Sequence, residues 1–112
     1  MRPVVNVSLS REKPFFDSKT AMLLTLVEET KSVRAAGQRM QLSYSSCWNM
    51  IRTLEDQLNF PLIHRSQGGA GGSTSDLTER GRLLLQRYLA YEQALRDQAR
   101  ELYEDYFGGL LE

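Results

Sequence analysis

The 112 residues predict a mainly α fold: a close pair of helices, a small β hairpin and one long C-terminal helix. Three observations predict it. Residues 32–58 place two serines suited to helix capping, Ser32 and Ser43, around the small residues Ala35, Ala36 and Gly37. Residues 68–72 put four glycines in five positions between two short strand-like runs. Residues 80–107 contain no proline and end at Gly108-Gly109, the residue type that terminates helices.

Taken in order, Val5, Val7 and Leu9 alternate with Asn6 and Ser8. A period of two predicts a short strand with one buried face. Arg11-Glu12-Lys13-Pro14 is a polar break. Phe15 and Phe16 read as core or as a dimer contact, and Asp17 or Ser18 can cap a helix running to about Glu29. Met22, Leu23, Leu26 and Val27 are expected on its inner side.

Ser32 can cap the next helix, because its hydroxyl can accept an orphan backbone N–H. The small residues that follow let another helix cross closely. Gln41-Leu42 is the connection, and Ser43 caps a second helix from about Tyr44 to Leu58. Cys47, Ile51, Leu54 and Leu58 make one apolar stripe on it, at about 100° per residue. Ser45, Asn49 and Arg52 fall on the opposite face. Short polar groups and an arginine on a helix anchored from behind suit a DNA major groove. The same spacing also fits an ordinary helical hairpin in a small bundle.

Asn59-Phe60-Pro61 stops that helix, since proline disfavours helical backbone in the residue before it. Leu62-Ile63-His64-Arg65 fits a strand, and Ser75-Asp76-Leu77 a returning one. The glycines between them cannot be helical at acceptable entropic cost. A hairpin with this tip is a wing whose N–H groups, with Ser73 and Thr74, suit phosphate or the minor groove; the other reading is a linker. Thr78 can cap the last helix, a rod of roughly 40 Å. Leu84, Tyr88, Tyr91, Leu95 and Leu102 follow a three-four spacing along it. A stripe too long for a small domain to cover predicts a second copy of the same helix as partner.

Composition is that of an ordinary soluble globular protein, with 41% hydrophobic and 25% charged residues. Cys47 is the only cysteine. An internal disulfide is therefore excluded, and a reducing, cytoplasmic location is expected. No apolar run approaches the roughly 20 residues of a membrane span, and Met1–Val7 is too short and polar for a secretion signal. Formal net charge is zero, but its distribution is polar. Lys31, Arg34, Arg39, Arg52 and Arg65 stand against Glu55 and Asp56 in residues 31–65, a net +3. Residues 79–112 carry five arginines against seven carboxylates, a net −2. The helix pair thus offers duplex DNA a preferred face.

Residues 32–81 resemble the winged helix-turn-helix domain shared by LysR-type regulators and the molybdate-responsive ModE regulators. The LysR-like pieces are A-A at 35–36, L-S at 42–43, I-R-T-L-E at 51–55, L-N-F-P-L-I-H-R at 58–65 and L-T-E-R-G at 77–81. The ModE-like pieces are S-Y-x-S-x-W at 43–48, the glycine-rich wing and the L-T-x-x-G opening the last helix. The resemblance implies a dimeric DNA-binding transcription factor that reads a (pseudo)palindromic operator. Residues 1–77 would form the DNA-binding domain and 78–112 the dimerisation helix. It implies that Ser43, Tyr44, Ser45, Trp48, Asn49 and Arg52 face the groove, and that Arg65, Ser73 and Thr74 are wing contacts. Trp48 by helical angle flanks the apolar stripe, so it packs at the core edge or touches DNA. Arg34, at a helix start, is expected on phosphate. ModE and LysR proteins continue into effector domains, and this sequence ends at Glu112; no molybdate site is expected within it.

Catalysis is poorly supported. His64 is the only histidine, which leaves a metal site short of its usual ligands. The glycine run lacks the lysine of a phosphate-binding loop. No cofactor is expected. The competing function is a winged helix that docks a protein through the same polar face.

Overall fold

A computed structural model of the chain describes residues 1–67 and 73–111. A first hairpin, β1 (Leu9–Ser10) and β2 (Pro14–Phe16), precedes three helices, α1 (Ser18–Thr30), α2 (Val33–Arg39) and α3 (Tyr44–Leu58). A second antiparallel hairpin follows, β3 (Ile63–Gln67) and β4 (Ser73–Leu77), and then α4 (Glu79–Phe107). The order is that of a winged helix-turn-helix with a long terminal helix.

Each helix starts where a side chain can accept its orphan N–H groups. Asp17 accepts from the Thr20 amide, Ser32 from Ala35, Ser43 from Ser46 and Thr78 from Gly81. Such caps are each worth about 1 kcal/mol. The α3 helix ends at Leu58, as expected, where Asn59 turns left-handed at φ 61°, a conformation asparagine tolerates well.

Two adjoining clusters form the core. Phe16, Leu24, Leu54, Leu62, Leu77, Leu85 and Tyr88 join the first hairpin, α1, α3, the wing and α4. Leu23, Val27, Val33, Ala36, Cys47 and Ile51 seal the three short helices together. The expected closeness of α2 and α3 is tight. A Cβ on Gly37 would lie 2.6 Å from Cys47 Sγ and 3.2 Å from the Leu42 carbonyl. Gly81 is equally confined, its Cβ position lying 2.8 Å from the Leu62 carbonyl where α4 starts against the wing.

Some expectations need correction. The N-terminal ladder is only Leu9–Ser10, although half-buried Val5, Val7 and Leu9 still alternate with exposed Asn6 and Ser8. The alternation came from one face resting on the body, without a partner strand to extend the ladder. Phe16 is buried and Phe15 half-buried in the chain's own core, in agreement with the core reading of the pair. Met22, placed inside by periodicity, is 52% exposed, and Leu24 takes the inner position, because neighbours cover the Thr20, Leu24 and Val27 side of α1. Finally, α4 buries Gly81, Leu85, Tyr88 and Glu92 against the body, with Leu84 half-buried beside them. Beyond Glu92 the helix runs alongside the Arg2–Val5 segment as far as Arg100, and it gives the molecule its 62 Å long axis.

Candidate nucleic-acid interface

The apolar stripe of α3 decides its outward face. Cys47, Ile51 and Leu54 are buried, and Ser45, Asn49 and Arg52 on the other side are exposed. Ser43 is exposed at the helix start, where its oxygen accepts from the Ser46 amide at 3.1 Å and its hydroxyl donates to Ser46 Oγ at 2.8 Å. It is a cap first, and that holds the leading turn of α3 in place.

The rim of this face is built from stacked arginines. Arg34 of α2 lies 4.3 Å from the centroid of the Tyr44 ring. Arg52 of α3 and Arg65 of β3 lie 5.9 Å and 5.1 Å from the Trp48 ring. Tyr44 and Trp48 meet edge to face at 6.3 Å. Trp48 is half-buried against the second core cluster, so it packs at the core edge and carries two guanidinium groups. Each stack contributes about 0.5–1 kcal/mol at exposed sites. Three elements distant in sequence thus bring their arginines to one aromatic pair.

Charge pairing separates these arginines from the other cations of residues 31–65. Lys31 binds Glu28 at 3.2 Å and Asp76 at 3.0 Å, and Arg39 lies 3.8 Å from Glu29. Among the described residues, Arg34, Arg52 and Arg65 form no ion pair. The +3 read from sequence is therefore uneven: the free positive charge lies around α3.

The wing is held to the body by groups that sequence reasoning missed. The Glu55 carboxylate, one turn from the end of α3, accepts from the Leu62 and Ile63 amides at 2.6 Å and 3.4 Å. The Ser75 amide donates to the Lys31 carbonyl at 2.9 Å. Glu28 accepts from the Leu77 amide at 3.1 Å and from Arg82 at 2.7 Å. Burial alone would raise the Glu28 carboxyl, but Arg82, the Leu77 amide and Lys31 outweigh it and hold it below its ordinary value of 4.5. No local pattern marks Glu28, since its main partners lie about fifty residues away. Arg65 is paired across the hairpin with Ser75, so these bonds also fix the strand that carries it. Thr74 is exposed on β4. The glycine tip at 68–72 and the Ser73 side chain lie outside the described residues.

The expected dimerisation stripe divides in two. Tyr88 is 3% exposed, tilts against Phe16 at 4.8 Å and donates to the Val7 carbonyl at 2.7 Å. Burial, with Glu92 beside it, pushes its phenol up to about 12. Its place in a seam with a second copy is corrected: the N-terminal segment already covers it. Leu84 also packs against the body, as a half-buried neighbour of the first cluster. Tyr91 and Leu102 are 53% and 51% exposed, and Leu95 is half-buried.

Burial also pushes the Cys47 thiol up, as suits a small core side chain. Among the described residues no cluster of three His, Cys, Asp or Glu could hold a metal ion, and no helix is long and apolar enough to cross a membrane.

Residues 20–82 match the bacterial regulatory helix-turn-helix protein, lysR family. The chain is 32% identical over 90 residues to the molybdenum transport protein ModE of Azotobacter vinelandii, covering 78% of this chain and 33% of that protein. It is 30% identical over 78 residues to the DNA-binding transcriptional dual regulator ModE of Escherichia coli (strain K12), covering 70% of this chain and 30% of that protein. It therefore spans about a third of the length of these curated relatives. The fold is shared with the protein of the CbnR_DBD-DNA complex, at a TM-score of 0.57 and 24% identity over 75% of this chain and 94% of that one. ArgP from Mycobacterium tuberculosis superposes at 0.51 with 27% identity, over 73% of this chain and 30% of that one. With more than half of its residues inside the family match and the same helix pair and wing in place, the chain belongs to the lysR family of bacterial regulatory helix-turn-helix proteins.

Proposed function

We propose that the chain is the DNA-reading part of a transcription regulator that acts as a homodimer on a (pseudo)palindromic operator. The observation that carries this reading is the rim of unpaired, ring-stacked arginines around the exposed face of α3. Ser45, Asn49 and Arg52 read base edges, where asparagine suits adenine and arginine suits guanine. Arg34, Arg65, Ser43, Tyr44, Ser73 and Thr74 meet the backbone and set the register. Trp48 sits between the two groups and orients Arg52 and Arg65. Residues 1–77 carry the reading surface. Residues 78–112 bring two copies together through Tyr91, Leu95 and Leu102. The relatives support this reading: one is named a DNA-binding transcriptional regulator, and a protein of the same fold was crystallised on DNA.

The test is selection of bound sequences from random duplex DNA, followed by a salt titration of the selected duplex. Binding should recover a two-fold related site, hold two chains per duplex, and weaken with salt at a log–log slope of about −0.9 per phosphate contacted. Recovery of no preferred sequence, with a flat salt response, would remove DNA as the partner and leave protein docking.

A further inference from the structure

The lysR-family match begins at residue 20, which leaves the first hairpin outside it. That hairpin turns through Arg11, Glu12 and Lys13, all exposed. Among the described residues neither Arg11 nor Lys13 forms an ion pair. The hairpin is anchored: Phe16 is buried in the same cluster as Leu54 of α3.

Two clefts show where it lies relative to α3. One, of about 310 Å³, lies between Pro14 and Phe15 on one side and Asn49 and Thr53 on the other. The other, of about 390 Å³, lies between the Arg11–Lys13 turn and Gln57. Around the α3 axis, at about 100° per residue, Thr53 and Gln57 lie about 40° and 80° to one side of Asn49. Arg52 and Trp48 lie about 60° and 100° to the other side, where Arg65 of the wing stacks. The reading face therefore runs between the wing, with Arg65, and the hairpin turn, where Arg11 and Lys13 flank Glu12 and the exposed carboxylates Asp17 and Asp56 lie near them.

A major groove is about 12 Å wide and bounded by a phosphate backbone on each side. A helix lying in it passes both. We propose that the Arg11–Lys13 turn is a second phosphate-contacting flank, which meets the backbone of the strand opposite to the one met by Arg65. The inference rests on α3 entering the groove, as proposed above. Arg11 and Lys13 hold the rim without reading sequence. Glu12 between them opposes the contact and trims it.

The full chain carries the test, with the selected duplex and a random duplex of equal length as probes, both extending a turn beyond the site. Affinity is measured by anisotropy across a salt series. R11Q/K13Q should reduce the salt slope by about 0.9 for each phosphate lost and weaken both duplexes by the same factor. R11K/K13R, which keeps both charges, should restore the parent slope. E12Q should tighten both duplexes. These side chains are exposed, and unchanged melting temperatures confirm that only the contact is altered. An unchanged slope in R11Q/K13Q, with the parent binding normally, overturns this inference alone. A loss confined to the selected duplex also overturns it, because phosphates are common to both. A parent that shows no salt-dependent binding overturns the regulator reading, and this inference with it.

Discussion

The guanidinium of Arg65 lies 5.1 Å from the centroid of the Trp48 ring. One residue belongs to the wing and the other to α3, so the stack ties the wing to the proposed reading helix. Trp48→Ala should release both Arg65 and Arg52. At about 0.5–1 kcal/mol per stack, duplex affinity should fall roughly five- to thirtyfold, and Trp48→Phe should keep most of it. Anisotropy with a labelled duplex checks this. Equal affinity in the parent and Trp48→Ala would show that the stacks do not position the arginines.

Asn49 and Arg52 are exposed on the face of α3 turned away from the core. Replacing either by alanine should cost about 1–3 kcal/mol of discrimination between the selected and a random duplex. Binding to the random duplex should change far less. Competition titration measures the ratio, and an unaltered ratio in both variants would place the reading face elsewhere.

Gly37→Ala sets a methyl 2.6 Å from Cys47 Sγ. Overpacking of this kind costs about 1–3 kcal/mol, so the urea midpoint should fall with little change in slope. Adding Cys47→Ala removes the nearest obstacle, and the double variant should lose less than the sum of the single losses. Strict additivity would mean that the Leu42 carbonyl, at 3.2 Å, is the true barrier.

The Glu28 carboxyl is held below its ordinary value of 4.5 by Arg82, the Leu77 amide and Lys31, against the upward push of burial. A carboxyl depressed in the folded state binds protons more readily when unfolded. Its contribution is therefore complete above about pH 5 and is lost as pH falls through the depressed value. Urea unfolding from about pH 6 to pH 3 should show the parent losing its advantage over Glu28→Gln across that window. A constant gap would show that the Glu28 cluster adds nothing pH-dependent.

Tyr91 and Leu102 are each about half exposed on α4. Tyr91→Glu with Leu102→Glu should turn a dimer into a monomer by sedimentation and flatten cooperative binding to the two-fold site. The monomer should retain its helical content, since the core half of α4 is untouched. A dimer of unchanged strength would place the contact on another surface.

Much of this fold is written locally. Serine and threonine caps, the Cys47–Ile51–Leu54 stripe and the run of glycines act within a few residues, so sequence by itself set the order of the helices, the outward face of α3 and the presence of a wing. Tyr88 shows where that stops. Its spacing fits a seam with a second copy, yet it is buried against Phe16 and Val7, because an N-terminal segment eighty residues away reaches it first. The meeting of Arg34, Arg52 and Arg65 at Tyr44 and Trp48, and the binding of the wing by Glu28, are likewise decided only in three dimensions. Periodicity says which side of a helix is apolar; which neighbour covers it, and which charges find partners, depends on how distant elements compete for the same surface.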